Sequence, residues 1–279
     1  MALGAVRFDL APEKAVEFFR AKGLQASFAW QDMLHEEHDR AFTVAKMMDL
    51  DLLSDVKGYV DRAISDGWTF KRFQDELAPE LARRGWWGEG LLKDPATGEM
   101  REVLLGSPRR LQIIYDTNLR TAYSAGHWAR IRENEATAPY VMYSAVLDER
   151  TRPQHRAWHG KVLRANDSWW KTHTPPNGWS CRCTVIQLGA RDLVKLGKSG
   201  PDTAPPSPMR DWANPRTGEI VKVPVGVDPG WGYAPGGTFE SRAAEAENLA
   251  REKAQGAPEE LRAAFLEWLD TTLARRRAG

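Results

Sequence analysis

The sequence predicts an α+β protein: a helical N-terminal domain, a long helix packed on a small antiparallel β core, an extended arm and a C-terminal helix. Three observations predict it. Apolar residues recur at helical spacing as far as Gly85 and again from Leu111 to Ile131. Short β-prone runs bounded by turn residues begin at Tyr140. Gly and Pro then become dense over residues 198–237 before helical spacing returns. The implied segments are 1–88, 89–197, 198–238 and 239–279.

Each element has its own signal. Pro12 suits a first helical turn ahead of Ala15, Val16 and Phe19, and Gly23 stops that run. Trp30 to Met48 continues at helical period. Leu52, Leu53, Val56, Val60, Ala63 and Ile64 form an apolar stripe that ends at Gly67. Thr69 caps a further helix with Phe70, Phe73 and Leu77, in which Pro79 is a kink or a restart. Residues 85–88 and 94–98 read as turns within a connector. Ser107-Pro108 is a cap followed by a first-turn proline, and the spacing predicts one helix over 108–133.

Tyr140 to Leu147, Lys161 to Arg164 and Cys183 to Leu188 read as strands, with Pro175-Pro176-Asn177-Gly178 as a turn between the last two. Pro215 to Gly218 makes a hairpin turn ahead of Ile220, Val221, Val223 and Val225. The long Gly/Pro-rich stretch around it is of the kind that wraps a surface or contacts a partner. At the end of the chain Leu261, Phe265, Leu269 and Leu273 share a helical face, and Arg275 to Arg277 suit a helix C-terminus. No internal repeat is read.

Composition narrows the function classes. The 279 residues are 42% hydrophobic and 28% charged, values of a globular chain, and the net charge of +1 makes no global case for nucleic-acid binding. No run of about 18 apolar residues predicts a membrane span, and Met1 to Leu10 lacks the apolar stretch of a secretory signal. The 12 tryptophans read mainly as core packing. No Gly-rich phosphate loop and no Gly-x-Ser-x-Gly elbow is present, which disfavours an ATPase motor or a serine hydrolase. His35-Glu36-Glu37-His38 has its histidines three apart, one short of a zincin spacing, and reads as a solvated helix face.

The most distinctive segment runs from Tyr140 to Leu188. Its frame is Asp148, Arg150-Thr151, His155, Gly160, Pro175-Pro176-Asn177-Gly178-Trp179 and Cys181-Arg182-Cys183. This frame resembles the phage head-morphogenesis domain family, the Mu F-like minor head proteins. Phe18 to Gly23, Ala41 to Lys46, Gly85 to Gly88, Leu105 to Leu111 and Asp228 to Tyr233 resemble the same family, so the likeness covers most of the chain. The resemblance places a head-morphogenesis domain over 89–197. It implies a structural minor capsid protein rather than an enzyme, at low copy near the portal vertex, acting in procapsid assembly or in DNA packaging or delivery. The expected partners are the portal protein and the major capsid or scaffold protein, with packaged DNA as a further one. The expected places are the virion head or procapsid and, during assembly, the host cytoplasm.

The donor chemistry within the frame is suggestive by itself. Cys181 and Cys183, two apart, would face the same way on a strand, poorly placed to bond each other and well placed to hold a third object. Two thiolates and an imidazole suit structural zinc, with His155 as third ligand and Asp148, His159 or His173 as candidates for the fourth. The same residues equally suit a hydrogen-bonded network that braces a loop-rich domain. Two alternatives of other classes stand beside the assembly reading. One is a small metal- or His-dependent nuclease or toxin-like enzyme using Asp148, Arg150, Arg152, His155 and His159. The other is a DNA-binding module using basic spots such as Arg109-Arg110.

Overall fold

The computed structural model describes residues 12–237, 250–251, 254–255 and 258–278. Met1 to Leu10 and the side chains of Leu273 and Arg275 to Arg277 lie outside the described residues. The chain divides into two compact units, Met1–Gly237 and Thr238–Gly279. The divisions expected after residues 88 and 197 therefore fall inside the first unit.

The helical part is built from local signals. Helix α1 (Glu13–Arg20) buries Ala15, Val16, Phe18 and Phe19. A one-turn helix α2 (Glu37–Arg40) precedes α3 (Leu50–Ser65), whose cap Asp49 accepts hydrogen bonds from the amides of Asp51 and Leu52. Such a cap contributes about 1 kcal/mol. The expected stripe is the buried one, from Leu52 to Ile64. Thr69 caps α4 (Phe70–Arg83), which runs through Pro79 without a break. Helix α5 spans Pro108–Glu133, capped by Ser107 with proline in its first turn, as its sequence predicts.

Residues 30–48 depart from the helical expectation. They hold a three-residue 3-10 turn, α2, and strand β2 (Ala41–Phe42) paired in parallel with β1 (Gly23–Leu24). Met33, Ala41, Phe42, Val44 and Met47 are all buried there. A single helical face would not bury all five, and His35 and Lys46 adopt positive φ, which interrupts any helix. His38 is not on a solvated helix face. Its carbonyl accepts from Lys22 Nζ at 2.5 Å, and burial pushes its imidazole down to about 4.

Helix α5 joins the two halves of the first unit. It packs against α3 and α4 and is crossed by α1 near Gly126, and its last turns carry Trp128 and Ile131 into the β core. That core is a three-stranded antiparallel sheet with β5 (Tyr140–Ser144) between β6 (Val162–Arg164) and β7 (Thr184–Leu188). Alternation along β5 sends Val141 and Tyr143 to the face shared with Trp128, Trp158 and Trp169. The opposite face rests on a smaller cluster of Val162, Leu188 and Leu193, with Tyr140 and Met142 packed against it. Short helices α6 (Pro153–Trp158), α7 (Trp170–His173) and α8 (Ala190–Lys195) fill the connections.

Two hairpins complete the unit. The connector contains β3 (Glu89–Lys93) paired with β4 (Met100–Leu104), a hairpin absent from the sequence reading. The arm contains β8 (Met209–Ala213) paired with β9 (Ile220–Pro224), as expected. The arm is not free. The Asp202 carboxylate accepts from the Val162 amide, and Val227 and Trp231 enter the β core. In the second unit α9 covers Glu259–Ala278, with Leu269 buried and Leu261 exposed on the face expected to be uniformly apolar.

Candidate functional site

The site lies where α6, the loop ahead of β7 and the arm converge. His155 sits on α6 with Pro153 in its first turn, and it is buried. Its ring stacks on Trp158 at 5.2 Å and 20°. Its Nε2 lies 2.8 Å from the carbonyl of Gly226. A carbonyl only accepts, so Nε2 carries a proton and donates, and Nδ1 is the ring atom turned to the thiols. Two sulfurs face that nitrogen: Cys183 Sγ at 3.5 Å and Cys181 Sγ at 3.7 Å.

The two cysteines are not on a strand, as the sequence suggested. They occupy the three irregular residues before β7, after Ser180 at φ 58°. They converge because the loop turns there, and the Arg120 guanidinium holds the Cys181 carbonyl at 2.8 Å. The two thiols differ electrostatically. A hydrogen bond from Cys183, with His155 adding to it, holds the Cys181 thiol below the ordinary range. The Cys181 sulfur and burial push Cys183 up.

Of the four expected ligands the fold gathers three. Asp148 is elsewhere occupied: its carboxylate takes both guanidinium nitrogens of Arg182 at 2.6 Å each, and it also accepts from the Arg150 amide and the Thr151 hydroxyl. Arg182 holds the Asp148 carboxyl down to about 2. An aspartate clamped this way orients the loop, and it lies outside the cluster of His155, Cys181 and Cys183. His159 Nδ1 accepts from the Ala145 amide at 3.0 Å. His173 stacks on Trp169 at 4.3 Å with Nδ1 beside Thr172. Neither belongs to the cluster of ligand atoms lying within 4.8 Å of one another, which among the described residues is His155, Cys181 and Cys183.

The remaining frame residues shape the surroundings. The Gly160 amide donates to the Tyr143 carbonyl, returning the chain from α6 to the sheet. The Pro175 carbonyl accepts from Ser124 on α5, and the Pro175-Pro176 bond is cis. The Tyr143 hydroxyl donates to buried Asn177 Oδ1 at 2.8 Å. Gly178 has no room for a side chain, since a Cβ would sit 2.2 Å from Asp228 Oδ2 and 2.3 Å from Arg152 Nη1. Those two groups pair at 2.7 Å through Nη2 and tie the arm to α6.

A cavity of about 200 Å³ opens on this cluster. His155, Cys181 and Cys183 line it together with Arg150, Arg152 and Arg182. The sequence reading missed Gly226, Asp228 and Tyr143 as parts of the site. Asp228 to Tyr233 carries a family-like signature, but nothing in it says that the arm returns to His155, 71 residues away from Gly226.

A family model described as Phage Mu protein F like protein matches residues 54–186, which include the whole Asp148 to Cys183 frame. Putative capsid assembly protein F of Escherichia phage Mu is 41% identical over 240 residues, 81% of this chain and 54% of that protein. The chain belongs to the Mu F-like family. A second Mu F-like relative, the Mu-like prophage FluMu F protein of Haemophilus influenzae, is 41% identical over 174 residues, 62% of this chain and 41% of its own length. The chain thus spans about half the length of the curated relatives it matches. No solved structure matches it. Among the described residues no helix is long and apolar enough to cross a membrane.

Proposed function

We propose that this chain is a minor head protein acting in phage head morphogenesis, near the portal vertex, during procapsid assembly or DNA packaging or delivery. The observation that carries the reading is the 41% identity over 81% of the chain to a protein named for capsid assembly. Its partners would be the portal protein and the major capsid or scaffold protein, with packaged DNA as a further contact, and its place the procapsid and virion head.

The candidate site supports a bracing role. Ion pairs Arg182–Asp148 and Arg152–Asp228 and the His155–Gly226 hydrogen bond join three separate segments around one cluster. The nuclease alternative draws on the arginine-lined cavity. It is weakened by His155, whose two ring nitrogens already face Gly226 and the cysteines, which leaves no nitrogen facing a substrate as general base. Wild-type hydrolysis of DNA or RNA that His155→Ala abolishes would reverse that order.

Quantitative mass spectrometry of purified particles tests the assembly reading. The expected result is a copy number far below that of the major capsid protein, in heads and not in tails. Absence from both procapsids and mature particles would overturn it.

A further inference from the structure

His155, Cys181 and Cys183 offer a donor set whose spacing can be compared with a metal site. Zinc bonds sulfur at about 2.3 Å and imidazole nitrogen at about 2.0–2.1 Å, so tetrahedral geometry separates the two donors by about 3.6 Å. The observed separations from His155 Nδ1 are 3.5 and 3.7 Å. All three donor atoms lie within 4.8 Å of one another, which spans the sulfur–sulfur separation of about 3.8 Å that the same geometry requires.

The surroundings carry a second feature of a metal centre. A ligating histidine donates its other N–H to a carbonyl or carboxylate, which sets the tautomer and aims the lone pair. Gly226 supplies that carbonyl at 2.8 Å, and the Trp158 ring lies stacked against the imidazole. With Asp148 held by Arg182, and His159 by the Ala145 amide, the described residues offer three ligands rather than four.

We propose that His155 Nδ1, Cys181 Sγ and Cys183 Sγ bind one zinc-class ion whose fourth position opens into the arginine-lined cavity and is taken by water or an exchangeable anion. Two thiolates and a neutral imidazole offset the dication's charge. Arg152 and Arg182 at the cavity are paired with Asp228 and Asp148, so the Arg150 guanidinium on its wall is what favours an anionic fourth ligand over a neutral one. A closed structural zinc would need a fourth protein ligand, and a centre with three protein ligands and an exchangeable fourth has the form of an open site. This inference stands apart from the head-assembly reading, because it concerns the donors alone.

The test uses the purified full chain, with zinc content measured by mass spectrometry and cobalt(II) as a spectroscopic substitute. One metal per chain is expected, with thiolate-to-cobalt charge transfer and the intense visible bands of a tetrahedral site. Asp148→Asn should keep one equivalent, whereas Cys181→Ser and Cys183→Ser should each weaken binding by more than the roughly 10- to 100-fold that loss of an outer partner costs. Azide added to the cobalt form should shift the visible bands as it enters the fourth position. A folded wild-type chain that binds neither ion would overturn the proposal and leave a hydrogen-bonded thiol–imidazole network. Loss of metal in Asp148→Asn would overturn the three-ligand assignment, and a cobalt spectrum unmoved by azide would overturn the open position.

Discussion

Arg216, at the tip of the β8–β9 hairpin, grips Asp94, at the tip of the β3–β4 hairpin, through bonds of 2.6 and 3.1 Å. The two tips are copies of one turn. Asp94-Pro95-Ala96-Thr97-Gly98-Glu99 and Asn214-Pro215-Arg216-Thr217-Gly218-Glu219 share their Pro, Thr, Gly and Glu. In each, the first side chain accepts the amide two residues on, and the first and last residues close the turn through backbone bonds of 2.7–2.8 Å. This short repeat escapes a search for long periods, and its consequence is a contact between segments 122 residues apart.

Arg216→Ala is expected to lower the melting temperature by several degrees, since it leaves the buried Asp94 carboxylate without its bidentate partner. Arg216→Lys should recover only part of the loss, because an ammonium does not span both carboxylate oxygens as a guanidinium fork does. Equal melting of the wild type and Arg216→Ala would mean that the tips are held by something else.

Acid should destabilise the fold before the carboxylates titrate. His173 is fully buried between aromatic rings, and burial lowers its imidazole from 6.5 to about 4. The unfolded chain therefore binds the proton first. The stability this group contributes is complete above pH 6.5 and is lost as the pH falls through the window down to about 4. A shift of that size corresponds to on the order of 3 kcal/mol. Denaturant melts at pH 7 and pH 4.5 measure the loss, and His173→Phe should shrink it. A variant with the wild-type pH dependence would exonerate His173.

Tyr143→Phe removes one oxygen from the centre of the β core. It leaves the buried Asn177 Oδ1 without the hydroxyl that donates to it at 2.8 Å. An unsatisfied buried acceptor costs about 1–3 kcal/mol, and a urea titration should show the midpoint fall accordingly. An unchanged midpoint would place a compensating donor at Asn177.

Gly126→Ala tests how closely α1 crosses α5. A Cβ there would stand 2.7 Å from the Ala15 amide nitrogen, a backbone atom that only moves with its helix. Overpacking of this kind costs about 1–3 kcal/mol. A thermal melt that matches the wild type would show that α1 can move away without loss.

The helices were largely legible from the sequence because their signals are local. Asp49, Thr69 and Ser107 each cap a helix with their own side chain, and the spacing of Leu52 to Ile64 needs no knowledge of what it packs against. The β3–β4 hairpin was not legible. Its strands leave Leu91, Met100 and Leu104 exposed, so no buried alternation marks them. Residues 30–48 failed in the opposite way, with apolar residues that mimic a helical period while the tertiary structure buries them from several sides.

The sequence by itself determined the α+β class, the bounds of the long helix and, through ordered motifs, the family. It also determined which residue types could meet at a metal: one imidazole, two thiols and a carboxylate. Only the tertiary structure decided which of them do meet. His155 reaches across 26 and 28 residues to the cysteines and 71 to Gly226, while Asp148 turns to Arg182. Composition and spacing report what a residue can bond. The choice among partners is a matter of distance, and distances between remote segments exist only once α5, the sheet and the arm have packed together.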